Sequence, residues 1–91
     1  MQPPDMPALM AEIDSLDKNL VELLGRRFRC SREIGSIKRQ QGQAPYDPIR
    51  VQNQQLNFVR KCVEAGLDEQ MAHQLIGTIL QQVIAERLAP N

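Results

Sequence analysis

The chain has 91 residues, 42% hydrophobic and only 3% aromatic, and its 11 Lys and Arg balance 11 Asp and Glu. At this length one domain with a modest core is the expectation. The balanced charge gives no global attraction to nucleic acid or an anionic membrane, and no apolar run is long enough to span a bilayer.

A Pro-broken tail, Met1 to Pro4, comes first. Asp5 then offers a helix cap, with Pro7 in the first turn where a missing N–H costs nothing. An apolar stripe follows at helical spacing: Leu9, Ile13, Leu16, Leu20 and Leu23/Leu24. Nothing breaks this helix before about Gln41, although Gly25 and Gly35 weaken it by about 1 kcal/mol each. A helix of about 35 residues is about 50 Å long, whereas a compact domain of this size is about 25–30 Å across. The rest of the chain is too short to cover it, so a second copy sharing the helix is the simplest expectation.

Gly42 to Pro45 reads as a loop. Asp47-Pro48 is a strong helix start, and the second helix runs to about Glu64 with Ile49, Leu56, Val59 and Val63 on one face. Ala65-Gly66 stops it. Asp68 caps a third helix that follows Met71/Ala72, Leu75/Ile76, Ile79/Leu80, Val83 and Arg87 until Ala89-Pro90. Helices over about 5–41, 47–64 and 68–88, with no strand pattern, define an all-α fold: a three-helix protomer with one very long first helix, residues 1–91 forming a single domain. Cys30 and Cys62 are too few for a disulfide framework and read as small buried thiols. No metal site is suggested, no signal peptide is recognisable, and the expected setting is reduced and cytoplasmic.

Charge is distributed unevenly. Asp5, Glu12, Asp14 and Asp17 occupy a first segment without basic residues, whereas Lys18, Arg26, Arg27, Arg29, Arg32, Lys38 and Arg39 crowd the next. Within Leu24–Lys38 the apolar stripe continues onto Arg27, Ser31, Ile34 and Lys38. Arg27 and Lys38 lie about 20° apart around the axis and about 16 Å along it. Buried cations need a partner, and that helix face offers no carboxylate. Two readings stay open: the side chains snorkel to solvent, or they hold a bound anion. Arg87 repeats the pattern at the end of the third helix, where favourable interaction with the helix dipole is the plainer account. Arg50, beside Asp47, could form a local i, i+3 pair.

Leu16-Asp17, Leu23-Leu24-Gly25-Arg26-Arg27, Ile34-Gly35 with Lys38, Asp47-Pro48-Ile49-Arg50 and Gly66-Leu67-Asp68 together resemble the all-helical class of chorismate mutases, over about residues 8–88. The resemblance implies an intertwined homodimer with two equivalent sites, a small dianionic substrate, and rearrangement of chorismate to prephenate without cofactor or metal. It implies no nucleic-acid or membrane partner. Carried over by position, Arg27 clamps a carboxylate, Lys38 donates to the ether oxygen and a carboxylate, and Arg50 with the loop near Asp47 closes over the ligand. Such a site needs fixed cations but no nucleophile, because a pericyclic reaction transfers no proton.

The chain departs from the family pattern at four of the positions that the resemblance makes substrate-binding or catalytic. Met10 stands where members carry an Arg that reaches into the partner's site. Val51 replaces a Glu that accepts from the ring hydroxyl, and Val83 replaces a Ser. Arg87 replaces a Gln that assists the Lys at the ether oxygen, keeping a donor and adding a charge. Low turnover is compatible with the first three changes. Isochorismate pyruvate lyases share the fold and resemble the chain at LGRR, at Pro48 to Val51 and at Ile84 to Glu86. A lyase is therefore the alternative enzyme reading, and a non-catalytic dimeric binding or regulatory module is a third.

Overall fold

The computed structural model describes residues 5–90; the Pro-broken tail lies outside them. Three helices make up the fold, α1 (Met6–Gln40), α2 (Pro48–Glu64) and α3 (Glu69–Leu88), and there is no strand among the described residues. None of the helices is long and apolar enough to cross a membrane.

Local chemistry sets the helix ends. The Asp5 carbonyl accepts from Leu9 N at 3.0 Å to open the α1 ladder. Asp47 caps α2 by accepting from Ile49 N at 3.0 Å, with Pro48 at the first helical position, and Asp68 caps α3 by accepting from Met71 N at 2.9 Å. Helices α1 and α2 stop in the same way. Gly42 (φ +68°) and Gly66 (φ +88°) take the left-handed conformation that a side chain resists. Beyond them Gln43 N donates to Lys38 O at 2.8 Å and Leu67 N to Cys62 O at 2.9 Å, returning the chain toward the helix it has left. At the end of α1 this turn brings the following loop back beside Lys38.

The chain divides into two compact units, Met1–Cys30 and Ser31–Asn91. Among the described residues, the first contains Asp5 and part of α1 and no other helix. Its stripe is open: Leu9 is 45% exposed, Ile13, Leu16 and Leu20 each 56%, and Leu23 58%.

In the second unit α2 packs against α3. Val59, Ala72, Ile76 and Leu80 form the core, and Val51, Phe58, Cys62 and Ile79 pack around it. The α2 stripe chosen from the sequence is only partly the buried one. Val59 is inside, but Ile49, Leu56 and Val63, spaced seven apart, face away from α3. Helix α2 carries two apolar stripes, and a single α3 covers just the one through Val51, Phe58 and Cys62. Cys30 is likewise exposed rather than buried, whereas Cys62 is half-buried against the core.

Candidate active site

The second unit holds two adjoining concavities. Lys38, in the last turn of α1, lines one together with Gln43, Ala44, Tyr46, Asp47 and Pro48. Its volume is about 340 Å³, at the small end of the range for ligand sites. Lys38 is half-buried, and no carboxylate lies within ion-pairing distance of it among the described residues. Asp47, the acidic residue of this cleft, has Oδ1 engaged in capping α2. Arg50 is exposed in the first turn of α2, and the ion pair with Asp47 that the spacing allows is not formed. The cleft therefore offers a cation without an ion-pair partner among the described residues, with the Asp47 carboxylate elsewhere on the same lining.

The second concavity, about 60 Å³, is lined by Ser31, Arg32, Gly35, Arg39, Pro45, Glu86 and Arg87. Arg87 dominates it. Nη1 donates to Pro45 O at 3.0 Å, and Nη2 donates to Ser31 O at 3.0 Å and to Ser31 Oγ at 3.1 Å. Three of the five N–H donors of a guanidinium are thus committed to protein oxygens. The side chain crosses Gly35 so closely that a Cβ there would lie 3.0 Å from Arg87 Cδ and 3.1 Å from Nε. Beside it, Arg32 pairs with Glu86 Oε1 at 3.2 Å, and Glu86 Oε2 is buried without a hydrogen-bond partner. The pair lies largely in solvent on the Arg32 side, 58% exposed, so it stabilises the fold only weakly.

Of the residues singled out in the sequence, Lys38 and Asp47 share the larger cleft and Arg87 lines the smaller. Val83 is buried at 8% exposure and Val51 packs on the α2–α3 core, so both present methyl groups where the family pattern has polar ones. Met10 (58% exposed) and the half-buried Arg27 belong to the first unit, and Arg27 makes no ion pair among the described residues. Sequence reasoning missed the roles of Ser31, Gly35 and Pro45 as the seat of Arg87. Ser31, a polar residue on the apolar stripe, and Gly35, a helix-weakening residue four after it, carried a signal, and Pro45 carried none.

Three helices, with Lys38 lining one small cleft and Arg87 the other, define an all-α domain with basic side chains at its clefts. The chain belongs to the chorismate mutase type II family, whose profile matches residues 9–87. It is 32% identical over 85 residues to a bifunctional chorismate mutase/prephenate dehydratase of Pseudomonas aeruginosa. That match covers 88% of this chain but 23% of the relative, so the chain spans about a quarter of the length of the curated relative it matches.

Proposed function

We propose that the chain is a chorismate mutase acting as a homodimer. The reaction breaks the ether C–O bond of chorismate as a C–C bond forms, and no atom leaves. The product, prephenate, lies on the way to phenylalanine and tyrosine. By the family pattern, Lys38 donates to the ether oxygen, where negative charge builds, and to a carboxylate; Arg27 clamps a carboxylate, where a planar guanidinium fork allows two parallel bonds; and Arg50 with the loop near Asp47 closes over the ligand. The observation that carries this reading is Lys38, without an ion pair among the described residues, lining a cleft of about 340 Å³ in a chain belonging to this family.

One observation favours a second reading. Val51, beside Arg50, packs against the α2–α3 core and supplies no acceptor for a ring hydroxyl, which suits an isochorismate pyruvate lyase. Parallel turnover assays with chorismate and isochorismate, with products identified, separate the two. Prephenate from chorismate supports the mutase. Salicylate and pyruvate from isochorismate, with chorismate poorly used, assign a lyase. A folded dimer inactive on both substrates is a binding module.

The reading also makes Met10 a deficit. Met10→Arg supplies a charge-assisted carboxylate contact worth roughly 1.5–3 kcal/mol, so KM for chorismate should fall about tenfold or more. An unchanged KM means that the first helix of this chain does not approach the ligand as the family's does.

A further inference from the structure

We infer that Arg87 is a positioning residue: its guanidinium ties the loop walling the Lys38 cleft to α1, and Gly35 is the gap through which the tie passes. The kinetic part of this inference rests on the proposed mutase reading, but the structural part does not. The loop leaves α1 through the Gly42 turn, where Gln43 N is held by Lys38 O, and enters α2 at the Asp47 cap. Between these anchors, among the described residues, the bond from Arg87 Nη1 to Pro45 O is the loop's one hydrogen-bonded tie. Pro45 has no N–H, so its carbonyl is the only backbone group there that can be held. On the far side of the guanidinium, Nη2 grips both oxygens of Ser31 on α1.

The three acceptors are neutral and the donor is charged, which makes each bond stronger than an ordinary amide bond. Their directions also matter. A planar fork can reach Pro45 and Ser31 together, and a lysine ammonium, a single point of donors, does not reproduce the span. Tyr46 and Asp47, the next two residues, line the cleft with Lys38. Fixing Pro45 therefore fixes the wall that faces the Lys38 ammonium. A Cβ at Gly35 would lie 3.0 Å from Arg87 Cδ and 3.1 Å from Nε, so the arginine would have to give way by a few tenths of an ångström.

The sequence supplies a local probe. Tyr46 is the single tyrosine of a chain without tryptophan, so its emission reports on this loop alone. Acrylamide quenching of Tyr46 in the free protein should rise roughly two- to threefold in Arg87→Ala, as the loop opens locally. Arg87→Lys should behave in the same way. Gly35→Ala keeps the arginine and favours the helix, yet by displacing Arg87 it should raise quenching in the same direction and to a smaller extent. The Gly35→Ala/Arg87→Ala double variant should add nothing beyond Arg87→Ala, because both substitutions act on one tie.

With chorismate, Arg87→Ala should raise KM on the order of tenfold and leave kcat within about threefold, the pattern of lost ground-state positioning. Unchanged Tyr46 quenching in folded Arg87→Ala and Gly35→Ala overturns the tie, whatever the substrate. A kcat loss of about a hundredfold or more, with KM unchanged, overturns the positioning role and makes Arg87 a catalytic residue. Increased quenching in the variants of a protein that turns over no chorismate leaves the tie standing and removes the mutase reading.

Discussion

Lys38→Ala should lower chorismate turnover by roughly 10²–10³-fold, the usual loss when one preorganised donor to a developing negative charge is removed. Circular dichroism and thermal melting should show little change in the fold. Lys38 makes no ion pair among the described residues, so its removal leaves no carboxylate unsatisfied. The residue is half-buried and its ammonium keeps part of its water, so removing it should change the melting temperature little. Turnover within a few-fold of the parent would move the reacting atoms away from the Lys38 cleft.

A second large effect is expected on the open stripe of the first unit. Leu16 and Leu20 are each 56% exposed in the single chain, and the described part of that unit contains no other element against which they can pack. Isolated helices draw little stability from propensity alone. Burying a leucine fully is worth about 1.5–3 kcal/mol, so the stripe can supply several kcal/mol per chain to an interface between two copies. Leu16→Glu with Leu20→Glu should convert the dimer into a monomer at micromolar concentration in light scattering, with loss of helical signal and of turnover. A parent protein that is already monomeric there, and still fully helical, would defeat the dimer proposal.

Much of the architecture was legible because its signals are local. Asp47-Pro48 and Asp68 start helices by satisfying N–H groups a few residues away, and Gly42 and Gly66 end them by adopting a backbone conformation that other residues resist. The length of α1 followed from the absence of any comparable break over 35 residues. The oddity of Lys38 was also legible, because a cation in register with leucines is a conflict within one helix. These are interactions between near neighbours along the chain, and residue type is enough to specify them.

What only the tertiary structure decided involves partners distant in sequence. Helix α2 offers two apolar stripes of similar strength, and the choice of Val51, Phe58 and Cys62 over Ile49, Leu56 and Val63 was made by where α3 lies. Arg87 fitted the end of a helix from sequence alone. Its actual acceptors include the carbonyls of Ser31 and Pro45, groups that every residue carries and that leave no mark in residue type. By itself, then, the sequence determined the helices, their ends and the cations on the apolar face, because helical periodicity and capping act within a few residues. The fold decided which apolar stripe is buried, which cation lines a cleft without an ion pair among the described residues and which is tied to the backbone, because those outcomes depend on atoms that only packing brings together.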